Sequence, residues 1–127
     1  MIRGIRGATT VDHDGQDAIV EATFTLLQDM IKKNKIDPED TASVFISTTE
    51  DIRSVFPAKA LRKIEGWEFV PVMCMREIPV KDALPFCIRI MVHVNTELSQ
   101  KEVQHIYHHE AVKLRPDLIG AHRKADS

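Results

Sequence analysis

The stretch that most constrains the fold is Phe86-Cys87-Ile88-Arg89-Ile90-Met91-Val92-His93-Val94. With a period of two, Phe86, Ile88, Ile90, Val92 and Val94 form one apolar face, and Cys87, Arg89, Met91 and His93 form the other. Successive side chains of a strand point to opposite sides, so this pattern predicts a strand with one core face and one mixed face. The simplest account of the mixed face is an antiparallel sheet with one side in water. Cys and Met are poor choices for a wet surface, however. An arginine set between them can instead present its fixed fork of donors to an anionic oxygen in a lined site. From this stretch alone both readings of Arg89 stay open.

The composition narrows the classes. With 127 residues, 43% hydrophobic and 28% charged, the chain has the size and balance of a single globular domain. A net charge of −2 supplies no bulk attraction to nucleic acid or to a membrane surface, so neither partner is expected. No apolar run approaches the roughly 20 residues that span a bilayer. The start, Met1 to Arg6, lacks the apolar core of a signal peptide. Cys74 and Cys87 are too few and too far apart for a zinc knuckle or a disulfide scaffold, which suits a reducing compartment. A cytoplasmic protein is expected.

Along the chain, Ile2 to Val11 reads as a first strand in which Arg3 and Arg6, an odd number of residues apart, face opposite sides. Asp14 is expected to cap a helix over Asp17–Lys35, whose apolar side carries Ile19, Val20, Ala22, Leu26, Leu27, Met30 and Ile31. Asp37-Pro38 opens a short helical turn, and Ala42 to Thr49 reads as a β-branched strand. A second helix is expected from Phe56 to Gly66, with Lys59 and Arg62 on one face. Trp67 to Met75 reads as a strand, with Pro71 marking an edge or an irregularity. Ser99 to Glu102 is a capping-box signature, so a third helix is expected there, bearing Val103, Ile106, Tyr107 and Ala111 on one stripe. His105, His108 and His109 would share a sector of that helix; without an HExxH pattern or a cysteine cluster, a solvated histidine face is the default and no metal site is expected. Ala111 to Pro116 reads as a last extended piece, Leu118 to Ser127 as a polar tail.

The residues passed on the way form a larger pattern. Ile2-Arg3-Gly4-Ile5-Arg6-Gly7-Ala8-Thr9-Thr10, Val55-Phe56-Pro57-Ala58-Lys59-Ala60, Gly66-Trp67, Val70-Pro71, Cys74, Glu77, Cys87-Ile88-Arg89, Ile106-Tyr107 and Leu114-Arg115-Pro116-Asp117-Leu118 stand in the order and register of one family. The chain resembles the monofunctional AroH-class chorismate mutases, from residue 2 to about residue 118. His108, His109 and the tail are not part of the resemblance.

The resemblance implies an α+β fold: a mixed β-sheet packed with helices, in a homotrimer described as a pseudo-α/β-barrel, with active sites at subunit interfaces. It implies one catalytic domain over residues 1–117 and a flexible tail over 118–127. The implied reaction is the Claisen rearrangement of chorismate to prephenate in phenylalanine and tyrosine synthesis. That reaction is pericyclic and needs no cofactor, metal or nucleophile. Arg89 is implied as the cation facing the ether oxygen, Glu77 as acceptor for the ring hydroxyl with Cys74 beside it, and Arg6 and Tyr107 as holders of carboxylate oxygens. Phe56, Ala58, Met73 and Leu114 are implied as pocket residues, and Lys59, Arg62 and Arg115 as cations near the mouth. Arg3 stays structural.

Two other classes compete. A trimeric anion-binding regulatory module could share the same fold, since fold alone does not decide function. Against it stands the combination of Glu77 with Arg89, because a plain dicarboxylate receptor gains nothing from a carboxylate beside its anion, whereas a hydroxylated dianion needs an acceptor as well as cations. A tautomerase-like enzyme would require a base such as an N-terminal proline, whereas Ile2 follows Met1.

Overall fold

The structure, a computed structural model, describes residues 1–114. Its centre is the strand foreseen from the alternation, β4 (Cys87–Asn95). Ile88, Ile90, Val92 and Val94 are buried on one face, while Arg89, Met91 and His93 face the other side with various degrees of exposure. Phe86 does not continue the strand: its φ is 50°, and its N–H donates to Asp51 Oδ2 at 2.9 Å. β1 (Ile2–Thr10) and β2 (Thr41–Thr48) flank β4, both antiparallel to it. β3 (Val72–Arg76) runs parallel to β2 at one edge, and β5 (Ile106–Tyr107) runs parallel to β1 at the other. The result is a five-stranded mixed sheet in the order β3-β2-β4-β1-β5, an α+β fold as expected.

Helix α1 (Gln16–Asn34) covers one face of this sheet. Ile19, Leu26, Leu27 and Met30 pack with Ile5, Val44, Ile46 and the inner residues of β4 into a single core. Each such aliphatic side chain, fully withdrawn from water, contributes about 1.5–3 kcal/mol. Ala22 and Ile31 are only partly covered, while Thr23 is buried and turns its hydroxyl to Ile19 O at 2.7 Å. α1 approaches β1 over Gly7, where an added Cβ would lie 2.4 Å from Met30 Sδ. The other sheet face is left uncovered by α1.

Several expectations are corrected. Asp14 does not cap α1, whose N-cap is Gly15. Its Oδ1 instead accepts from the N–H groups of Arg53 and Ser54, both at 3.0 Å, tying the start of α1 to the loop after β2. These hydrogen bonds, the Arg53 N–H first, hold the Asp14 carboxyl below its ordinary pKa. The segment after Phe56 is a 3-10 helix, Pro57–Lys63, and not an α-helix. It ends where Ile64 turns extended, and Gly66 at φ 88° leads into a second 3-10 turn, Trp67–Phe69. Along this broken path Leu61 and Trp67 are both buried in the core. β3 therefore starts only after Pro71, as an edge strand.

The third helix is absent. Both capping-box bonds form, Ser99 N–H to Glu102 Oε1 at 2.9 Å and Glu102 N–H to Ser99 Oγ at 3.3 Å, but they close one turn only. The chain leaves that turn because the buried Asn34 amide takes both backbone groups of Gln104, at 2.8 Å each. Ile106 and Tyr107 then pair with Gly7 and Ala8. Of the piece expected to be extended, Ala111 to Leu114 lie in a 3-10 helix, His109–Leu114, and Arg115 and Pro116 lie outside the described residues. The expected tail, 118–127, lies outside the described residues. Among the described residues no helix is long and apolar enough to cross a membrane.

Candidate active site

Arg6, Arg89, Tyr107 and Leu114 line one cleft of about 330 Å³ on the sheet face that α1 leaves open. They come from four elements: β1, β4, β5 and the last 3-10 helix. Pairing explains why they converge. Arg89 sits opposite Ala8 on one neighbouring strand and Ser47 on the other, so two small side chains leave its guanidinium room. Tyr107 pairs with Ala8 on the far side of β1. Arg6 shares the open face with Arg89, while Arg3, on the other face, donates to Leu98 O at 3.0 Å, as the odd spacing required.

Glu77 follows β3, and its N–H donates to Thr48 O at 2.8 Å, so it continues the β2–β3 pairing. Its Oε2 accepts from Ser47 Oγ at 2.8 Å and stands 3.5 Å from Arg89 Nε. The Glu77–Arg89 contact is long, and the Arg89 side chain is 49% exposed. A pair of that kind contributes under about 1 kcal/mol, so it orients the guanidinium without consuming it.

The remaining expected residues lie elsewhere. Phe56, Lys59 and Cys74 line a second cleft, with Arg76 and the loop after β2. Ala58 and Arg62 join Phe56 and Lys59 around a third. The three-residue spacing of Lys59 and Arg62 does put both on one exposed flank, now of a 3-10 helix. Met73 is exposed on the open sheet face, whereas Cys74 points the other way and packs toward the core. Burial pushes the Cys74 thiol above its ordinary pKa, offset in part by a hydrogen bond from the Ala58 backbone. Cys87, buried in β4, is also raised by burial, against the charge and hydrogen bond of Arg89. Met75, the one residue common to the first two clefts, lies on the edge strand between them. Arg115 lies outside the described residues.

The histidines do not form a helical face, since His105 precedes β5, His108 follows it and only His109 lies in a helical turn. His105 Nδ1 accepts the Arg6 N–H at 3.0 Å, and His108 Nε2 meets Asp29 Oδ2 of α1 at 2.9 Å. Among the described residues no three His, Cys, Asp or Glu side chains gather at metal-binding range.

Two cations and a phenol line this cleft, and the Glu77 carboxylate, which itself opens onto a neighbouring cleft with the loop after β3, is hydrogen-bonded to Ser47 in its wall. Such a set suits a small hydroxylated anion with more than one carboxylate. The sequence model of the family chorismate mutase type I matches residues 2–118. The chain belongs to this family. Chorismate mutase AroH of Bacillus subtilis (strain 168) is 48% identical over 118 residues, covering 93% of this chain and 93% of its own. Chorismate mutase AroH of Thermus thermophilus is 48% identical over 122 residues, 95% of this chain and 99% of its own. A solved chorismate mutase from Clostridium thermocellum superposes with a TM-score of 0.84 at 41% identity, over 87% of this chain and 98% of that one. The AroH-class resemblance and the α+β fold therefore stand. In this type I chorismate mutase, sequence reasoning passed over Ser47 and Arg76, which hold Glu77 and the loop after β2. Arg76 Nη1 donates to Thr49 O at 2.8 Å and to Ile52 O at 3.2 Å. Alternation from Val44 to Thr48 places Ser47 on the face opposite Val44, Ile46 and Thr48, a signal available in the sequence.

Proposed function

We propose that the protein isomerises chorismate to prephenate by Claisen rearrangement, in the synthesis of phenylalanine and tyrosine. The observation that carries the reading is the convergence of Arg6, Arg89 and Tyr107 on one cleft, with the Glu77 carboxylate bonded to its wall. The reaction has no group to transfer and no proton to move, so the protein contributes geometry and charge. Holding the enolpyruvyl ether folded over the ring removes conformational freedom ahead of the barrier. Carbon–oxygen cleavage runs ahead of carbon–carbon bonding, and negative charge grows on the ether oxygen. The Arg89 guanidinium, standing on a rigid central strand, meets that charge and binds the transition state more tightly than the substrate. Arg6 and the Tyr107 hydroxyl hold carboxylate oxygens, and Glu77 accepts from the ring hydroxyl.

Phe56, Ala58, Lys59, Arg62, Met73 and Cys74 complete the site from a neighbouring subunit of a homotrimer, together with Leu114 and Arg115 from the chain that supplies Arg89. Two features support this division. Phe56 and Lys59 open onto clefts separate from that of Arg6 and Arg89 within one chain. Phe56 is 76% exposed and Met73 62%, apolar surface of the kind that a partner covers. Residues 1–117 act as one catalytic domain in the cytoplasm, where two free cysteines are at home.

The test is chorismate consumption by the purified protein without added metal or cofactor. Rapid conversion to prephenate, unchanged by chelator, is expected. Tight chorismate binding without turnover would replace this reading with the anion-binding module.

A further inference from the structure

Glu77 can serve a hydroxylated substrate only if one carboxylate oxygen is held in place and the other is left to accept. Oε2 is the held oxygen: Ser47 Oγ donates to it at 2.8 Å, and Arg89 Nε stands 3.5 Å away. Oε1 makes no hydrogen bond among the described residues. The bond to Ser47 has ordinary hydrogen-bond length and a carboxylate acceptor, whereas the contact with Arg89 is long and half in water, so Ser47 is the stronger restraint. Ser47 is well placed for this. It lies in β2 between Met75 of β3 and Arg89 of β4, and Glu77 leaves β3 at the next residue on the same face. It also lines the cleft itself.

We infer that Ser47 is the positioning residue of the site: its hydroxyl fixes Glu77 Oε2, aims Oε1 at the substrate's ring hydroxyl, and spaces the carboxylate from the Arg89 guanidinium. This inference rests on the role given to Glu77 above. Without the Ser47 hydroxyl, the carboxylate turns toward Arg89, closes the long contact and competes with the substrate for the same cation. One side chain therefore sets both the acceptor and the availability of the cation.

The test is a double-mutant cycle in the full chain, read as turnover of chorismate and as affinity for prephenate, with thermal unfolding as a check on folding. Ser47→Ala is expected to lower kcat/KM about tenfold or more, the range for a lost hydrogen bond to a charged group. Ser47→Thr keeps a hydroxyl in a strand that tolerates β-branching, and is expected to restore most of the loss. In a Glu77→Ala background, Ser47→Ala is expected to weaken prephenate binding no further. Wild-type rates for Ser47→Ala beside a crippled Glu77→Ala would overturn the inference and leave Glu77's role intact. An equal loss from Ser47→Ala with or without Glu77 would also overturn it, since Ser47 would then act independently. Near wild-type turnover in Glu77→Ala would remove the role of Glu77, and that of Ser47 with it.

Discussion

Arg89 draws its value from a conflict of neighbours. Its strand is apolar on the core side, its flanking partners Ala8 and Ser47 are small, and its only carboxylate contact among the described residues is loose at 3.5 Å. A planar fork held at its base can meet an oxygen at a fixed angle, which a flexible ammonium cannot. Arg89→Lys is therefore expected to lower kcat by at least about a hundredfold, the loss typical of an oxyanion donor, with little change in melting temperature. Stopped assays on the folded variant check this; near wild-type turnover would take the cation's role away from Arg89. At this scale the sequence was legible where residue type and parity agree. That Arg3 and Arg6 face opposite sides of the sheet, and that Arg89 stands off the core face, follows from alternation. Ser47 was harder, because a serine in a strand is ordinary until its partner is known. That partner, Glu77, is thirty residues away. Asp14 misled for the same reason: it has the right type and place to cap α1, yet two backbone N–H groups from a distant loop claim it.

Among the elements, α1 and the three long strands behaved as their patterns require, since each buries enough apolar surface to hold its own conformation. The contact of α1 with β1 depends on Gly7. An alanine there would place Cβ 2.4 Å from Met30 Sδ and 3.2 Å from Leu26 Cδ1, and both side chains are fully buried. Gly7→Ala is thus expected to destabilise the fold by about 1–3 kcal/mol, read from denaturant unfolding. An unchanged midpoint would mean that Met30 repacks freely. The short elements were misread because local signals were outweighed by partners far along the chain. The capping box at Ser99 forms, but Asn34 takes the backbone of Gln104 and β1 takes Ile106 and Tyr107. A single turn has little to set against those bonds. Similarly, Pro57 and Gly66 do bracket a helical segment, yet it runs as 3-10 turns along which Leu61 and Trp67 are both buried.

For the whole molecule, the proposed division of site residues between two subunits makes its own prediction. A variant lacking Arg89 and one lacking Lys59 should each be nearly inactive. After unfolding and refolding together in equal amounts, about a quarter of the interfaces would pair an intact Arg89 with an intact Lys59. Recovery of activity toward that fraction is expected, and its absence would place both residues in one chain's site. Sequence alone determined the α+β class, the central strand, the main helix and the family, because alternation and amphipathic period report burial, and the quoted motifs span nearly the whole chain. Only the tertiary structure decided that Tyr107 stands on a strand and not a helix, that Ser47 holds Glu77, and that Cys74 turns away from the Arg89 cleft. Those outcomes depend on competition for a few backbone and carboxylate groups between segments far apart in the chain, which no local window contains.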